Sequence, residues 1–232
     1  MDIQDKVVII TGASEGIGLA TARLFAKAGA KVALAARSAD TLHTIVNELH
    51  EQHYEAIAVP TDMRNKDAIE ALVDRVFQQY GRIDILINNA GQGVYGNVAD
   101  VDIEQFRQMF ELNVLGPVEA MQALIPKMRH NGGGLIINVS SHVSHMHLPG
   151  ISAYAATKAA LNMISDTARE ELASEHIRIT TMYPSVVATR MLERLQGPRP
   201  RQGGPEPESA EAVAHKILEA ASYEPHEQYM DR

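Results

Sequence analysis

Six short apolar runs punctuate the chain: KVVIITG (6–12), KVALAAR (31–37), EAIAVP (55–60), IDILINN (83–89), GLIINVSS (134–141) and IRITTMYP (177–184). Each has the length and the branched aliphatic content of a strand buried on both faces. Between them lie longer amphipathic stretches with helical spacing, at roughly 16–28, 39–53, 65–80, 102–130 and 152–175. A last helix is predicted over about 209–222 and a short edge strand near 226–230. Strand–helix–strand alternation implies right-handed crossovers in a parallel sheet. The pattern therefore predicts an α/β, doubly wound domain spanning residues 1–232. Its sheet is mostly parallel, of six or seven strands, with helices on both faces.

One stretch breaks the pattern. GPRPRQGGPEPE (197–208) carries four prolines and three glycines, which forbid a regular element. It follows the last core strand, and ligands of open α/β sheets bind beyond the carboxyl ends of the strands. A substrate lid is therefore expected at about 190–208.

Composition narrows the class. The chain has 232 residues, 45% hydrophobic and 22% charged, with a formal charge of −8. Acidic and basic residues are mixed along it, which argues against a nucleic-acid surface. With no cysteine, disulfides, thiol catalysis and cysteine metal sites are excluded. The polar start Met1–Lys6 does not read as a signal peptide, and no apolar run approaches the ~20 residues of a membrane helix. A cytoplasmic protein without membrane or nucleic-acid partners is expected.

The stretch TGASEGIG (11–18) closes the first strand with three glycines in eight residues. Gly12 can take the positive φ of a sharp turn, and Gly16 lets backbone approach a ligand without a Cβ in the way. Gly18, one turn into the helix, permits close packing. The helix start then offers free N–H groups and partial positive charge to a pyrophosphate. The chemistry points to a dinucleotide.

Three stretches together resemble the short-chain dehydrogenase/reductase family, in its short single-domain branch. They are Thr11–Gly18, Asn88-Asn89-Ala90-Gly91, and Tyr154-Ala155-Ala156-Thr157-Lys158, in the family's order and separations. The resemblance runs from about residue 5 to 192. It implies a Rossmann-type fold and a cofactor held by Gly12, Ser14, Gly16, Ile17 and Gly18. It adds Asp62 and the Met63 backbone at the adenine, and Asn89 and Gly91 along the ribose and backbone of the site. Val187 (through its backbone) and Thr189 would hold the nicotinamide carboxamide. At the end of the second strand, Ala36 stands where relatives preferring NAD carry Asp, and Arg37 follows. A guanidinium fork suits a 2′-phosphate, so NADP(H) is favoured over NAD(H). Glu15, where such relatives often have a basic residue, works against that preference.

Tyr154 and Lys158 are four apart on a predicted helix, hence on one face. A phenol is a poor base at neutral pH. A nearby ammonium, reinforced by an oxidised nicotinamide, is expected to lower its pKa. The family separation of thirteen residues before Tyr154 selects Ser141 as the residue holding the substrate oxygen, and leaves Ser140 structural. Asn113 matches the family asparagine that holds a water linking the lysine to solvent. The resemblance implies hydride transfer between NADP(H) and a ketone, aldehyde or secondary alcohol, with Tyr154 as acid or base. A dinucleotide-sensing regulator without turnover is the alternative reading.

His142, His145 and His147 crowd the loop after Ser141. No Asp, Glu or Cys sits among them, so a metal site is not expected; at least one is read as substrate-lining, with His142 the best candidate, and the remainder as exposed. Ser185 replaces a glycine usual in relatives and adds a hydroxyl beside the pocket. The long helices at 102–130 and 152–175 are the surfaces relatives use to pair subunits, implying a homodimer or homotetramer.

Overall fold

The computed structural model describes residues 2–188, 207–223, 225 and 227–229. Strands and helices alternate as β1 (Val7–Thr11), α1 (Gly16–Lys27), β2 (Lys31–Ala36), α2 (Ala39–Glu51), β3 (Ala56–Pro60), α3 (Lys66–Tyr80) and β4 (Ile85–Asn88). The second half continues with α4 (Ile103–Phe110), α5 (Gly116–His130), β5 (Gly134–Val139), α6 (Ser152–Leu172) and β6 (Ile177–Tyr183), then α7 (Ala210–Tyr223) and β7 (Glu227–Tyr229). The seven strands form one sheet in the order β3-β2-β1-β4-β5-β6-β7. Every neighbouring pair is parallel.

Alternation of side chains along each strand divides the core into two layers. Val8 and Ile10 of β1 and Val32 and Leu34 of β2 pack with Phe25 of α1, Leu42 of α2 and Ile217 of α7. Val7 and Ile9 point the other way, joining Leu72 of α3, Leu124 of α5 and Ile179 of β6. Both faces are apolar, so the central strands carry no polar alternation. That is why they read as continuous runs.

Local signals set the helix ends. The Asn65 side chain accepts from the Ala68 amide at 3.1 Å to start α3, and Gly81 ends it with φ 72°. The Asp102 carboxylate accepts from the amides of Glu104 (2.8 Å) and Gln105 (3.0 Å) to start α4. The stretch predicted as one helix over 102–130 is two α-helices joined by a π-turn, Glu111–Leu115, in which the Gly116 amide reaches back to the Glu111 carbonyl. A π-turn inserts one residue into a helix and is a frequent mark of functional sites.

Between β1 and β4 the strand order reverses. Such a switch point opens a crevice at the strands' carboxyl ends. Thr189 and the predicted lid up to Glu206 lie outside the described residues. Among the described residues, no helix is long and apolar enough to cross a membrane.

Candidate active site

A crevice of about 670 Å³ opens at the switch point. Its wall includes Gly12, Ser14, Gly16, Ile17, Arg37, Asp62, Met63, Asn89 and Gly91, nine of the predicted cofactor residues. The wall also contains residues that sequence reasoning missed, among them Ser38, Thr41, Arg64 and Gln92. Gly18 is not on the wall: it is buried beneath it.

The β1 turn is built by close approach. Gly12 has φ 67°, and a Cβ on Gly18 would stand 2.2 Å from the Gly12 carbonyl oxygen, so α1 can lie on the turn only without that side chain. Asn89 locks the arrangement from β4, its Nδ2 donating to the Thr11 carbonyl at 2.9 Å. Thr11 Oγ1 accepts from the amides of Asn89 and Ala90, each at 3.0 Å. Asn89 thus buttresses the turn as well as bordering the crevice. Glu15, the residue before α1, makes no side-chain cap to the helix. The turn and the helix start therefore present backbone N–H groups to the crevice, a setting suited to a pyrophosphate.

At the far end of the crevice, Arg64 grips Asp62 with two bonds, Nε to Oδ1 at 3.0 Å and Nη2 to Oδ2 at 2.6 Å. The hydrogen bond from Arg64 holds the Asp62 carboxyl below the usual carboxylate range, and the charges of Arg64 and Arg37 add to it. Two guanidinium groups, Arg37 and Arg64, border this end. Met63 is on the crevice wall although the residue is buried.

Ser141 leaves β5 and Tyr154 and Lys158 rise on α6, all three at the carboxyl end of the sheet. Ser141 is 8% exposed, and its hydroxyl lies near enough to the Tyr154 phenol to favour the tyrosinate. Burial pushes that phenol up to about 12, with Ser141 opposing the rise. The Lys158 ammonium by itself therefore does not lower the phenol, and the expectation of a lowered phenol joined it to an oxidised nicotinamide. Lys158 Nζ lies 5.9 Å from the centre of the Tyr154 ring and donates to the Val139 carbonyl at 2.8 Å. Burial is the largest influence on the phenol. Burial also pulls Lys158 down to about 8.

The Asn113 amide is fully committed within the π-turn. Its Oδ1 accepts from the Gln92 amide at 2.9 Å, while Nδ2 donates to the Gln92 carbonyl at 2.8 Å and to Thr157 Oγ1 at 3.0 Å. Asn113 thereby fastens the loop after β4 to α6. A second brace runs through Ser140, whose hydroxyl donates to Asn162 Oδ1 at 2.5 Å. Asn162 Nδ2 then donates to Ser144 Oγ at 2.9 Å, and Ser144 donates to the Ser141 carbonyl at 2.7 Å. Ser140 serves the structural part expected of it. Asn162 and Ser144 were missed, because each reads as an ordinary polar position.

His142 is half-buried beside Ser141, its amide donating to the Pro184 carbonyl at 2.9 Å. The His145 ring lies 5.0 Å from that of Tyr183, and His147 is exposed. Among the described residues no His, Cys, Asp or Glu group could hold a metal ion. Val187 pairs in parallel with Glu208. In that pairing the neighbours Val186 and Ala188 make the bonds to Glu208, so the Val187 amide and carbonyl face the opposite edge. Thr189 lies outside the described residues.

Comparison with known proteins agrees with this geometry. Residues 6–199 match the family model described as short chain dehydrogenase. An uncharacterized oxidoreductase of Staphylococcus haemolyticus is 34% identical over 220 residues, 95% of this chain and 94% of the relative. L-sorbose reductase from Gluconobacter frateurii, solved with NADPH and L-sorbose, is 30% identical with TM-score 0.88, over 100% of this chain and 97% of that one. A 7α-hydroxysteroid dehydrogenase solved with NADH and 7-oxo glycochenodeoxycholic acid is 28% identical with TM-score 0.91, over 99% and 94%.

Proposed function

We propose, on the premise that the chain belongs to the short chain dehydrogenase family, that it is an NADP(H)-preferring oxidoreductase interconverting a carbonyl compound and its alcohol. The observation that carries this reading is that Ser141, at the end of β5, and Tyr154 and Lys158, one helical turn apart on α6, come together at the carboxyl end of the sheet, with Lys158 Nζ 5.9 Å from the centre of the Tyr154 ring. The two solved relatives hold NADPH and NADH, which supports a dinucleotide in the glycine-walled crevice. Gly12, Ser14, Gly16, Ile17, Asp62, Met63, Asn89 and Gly91 would hold it, with Val187 and Thr189 at the nicotinamide end. When bound it supplies a hydride donor or acceptor.

This chain's own residues handle the oxygen. Ser141 donates a hydrogen bond to the substrate carbonyl and holds it against the phenol. A phenol at about 12 is protonated at neutral pH, so Tyr154 is charged with the proton that the carbonyl oxygen needs. Lys158 keeps a cation beside the developing tyrosinate and stabilises it. Running backward, the tyrosinate takes the alcohol proton. His142 and Ser185 border the substrate side.

Preference for NADP(H) rests on Arg37 at the basic end of the crevice, where Arg64 is already paired with Asp62. A 2′-phosphate there meets the planar fork of Arg37. Subunit pairing through α4, α5 and α6 is supported by apolar side chains left on that face: Met163 is 68% exposed and Leu115 38%. The test is a panel of ketones and alcohols followed by nicotinamide absorbance, with NADPH and NADH in parallel. Turnover of carbonyls with NADPH is expected. Tight dinucleotide binding with no turnover of any carbonyl or alcohol would instead favour a regulatory sensor.

A further inference from the structure

The rim that carries Ser141 carries a second polar pair. The His142 amide bonds the Pro184 carbonyl, so the residue after Pro184 sits one backbone step from Ser141's neighbour. That residue, Ser185, donates its hydroxyl to Glu208 Oε1 at 2.5 Å. Glu208 is fixed by its own backbone, its amide donating to Val186 at 2.8 Å and its carbonyl accepting from Ala188 at 2.9 Å. Its other carboxylate oxygen, Oε2, is buried and has no hydrogen-bond partner among the described residues.

A serine hydroxyl has a single proton and can satisfy one carboxylate oxygen only. A buried acceptor left without a donor is costly, and more so when charged. A ligand donor that reached Oε2 would remove that cost. Its chemistry can be narrowed further. Lys158 already places an ammonium in this site, and a cationic ligand would be repelled by it. A neutral hydroxyl is not.

We propose that Glu208 Oε2 is a substrate subsite, accepting a hydrogen bond from a hydroxyl carried close to the reacting carbonyl. The substrate class is then hydroxyketones and the diols they interconvert with. This rests on the oxidoreductase reading above, which it deepens.

Matched pairs of ketones that exchange every hydroxyl for a methyl test it: hydroxyacetone against butanone and acetoin against isopropyl methyl ketone, one exchange each, and dihydroxyacetone against diethyl ketone, two exchanges. The readout is the hydroxyl-to-methyl ratio of kcat/KM in the wild type, divided by the same ratio in Glu208→Leu. Intrinsic ketone reactivity cancels in that quotient. A hydrogen bond to a charged acceptor predicts a quotient of about ten or more for at least one pair. A quotient of one for all three pairs overturns the proposal. Ser185→Ala keeps the carboxylate and should keep the preference. If it loses the preference as fully as Glu208→Leu does, the pair is only a structural latch and the proposal fails.

Saturation-transfer NMR on the NADP⁺-loaded protein reads the same pairs by binding, with Glu208→Ala available should the leucine variant not fold. Hydroxyl preference in binding that depends on Glu208, with no turnover of any ketone, keeps the subsite and removes the oxidoreductase reading. Turnover with no dependence on Glu208 does the reverse.

Discussion

The Lys158 ammonium is anchored to the Val139 carbonyl at 2.8 Å and stands 5.9 Å from the centre of the Tyr154 ring. The cation is therefore held by the end of a core strand, and the phenol is left to its dry surroundings and the Ser141 hydroxyl. Such a phenol is an acid waiting for a developing alkoxide. Tyr154→Phe keeps the ring and removes the proton. We expect kcat for carbonyl reduction to fall by about a thousandfold, within the usual span for general acid–base groups, while the dissociation constant for the dinucleotide stays within about twofold, because the crevice wall is unchanged. Rapid-mixing kinetics and dinucleotide titration separate the two. Unimpaired turnover would remove Tyr154 from the chemistry.

The same burial gives a pH signature. Lys158 titrates at about 8 in the folded chain against an ordinary value of 10.5. Between those two values the unfolded chain binds the extra proton, so this group makes stability rise with pH across that window. Below about 8 both states are charged and the full cost of burying the ammonium is felt, about 3 kcal/mol by the usual conversion. Lys158→Met removes that cost. Its melting temperature relative to wild type should therefore be more favourable at pH 7 than at pH 10, by roughly 5–10 °C for a chain of this size. Activity moves the other way: reduction by the wild type should decline as pH rises through about 8 and the cation is lost. A melting difference that does not change with pH would show that the ammonium is not buried in solution.

The sheet was legible because both of its faces are covered. Val7 and Ile9 serve one layer and Val8 and Ile10 the other, so no polar residue interrupts the run. The glycine turn was legible because a Cβ at Gly18 has no room, a constraint that only one residue type meets. The π-turn at Glu111–Leu115 was not, since one extra residue hardly disturbs helical periodicity. Asn162 looked like a polar position on an amphipathic helix, and only the fold brings it to Ser140. The Tyr154–Lys158 spacing told which face the pair shares. It could not tell that Nζ would turn to Val139, nor that burial would raise the phenol.

Cofactor choice follows from the basic end of the crevice. Arg64 is occupied with Asp62 through two hydrogen bonds, which leaves Arg37 as the guanidinium whose position directly follows the end of β2. Arg37→Asp replaces a phosphate donor with a carboxylate that repels phosphate and accepts from ribose hydroxyls. The NADPH-to-NADH ratio of kcat/KM should fall by at least about a hundredfold, the scale of losing a charge-assisted bond and gaining a repulsion. An unchanged ratio would place the reading of the 2′-phosphate elsewhere, with Arg64 the next residue to change.

Asn113 makes three hydrogen bonds and joins two parts of the chain that nothing in their sequence pairs. Two go to the Gln92 backbone and one to Thr157 on α6. Asn113→Ala removes all three and leaves the Thr157 hydroxyl and the Gln92 amide and carbonyl to find water. Asn113 itself is fully buried, so water enters only if the loop opens. The expected loss of unfolding free energy is about 2–4 kcal/mol, two or three net bonds with their stranded partners, measurable by urea denaturation. Gln92 and Gly91 border the crevice, so dinucleotide affinity should weaken along with stability. Lost stability with affinity intact would mean that the loop after β4 keeps its place without this clamp, and that Asn113 serves the helix junction alone.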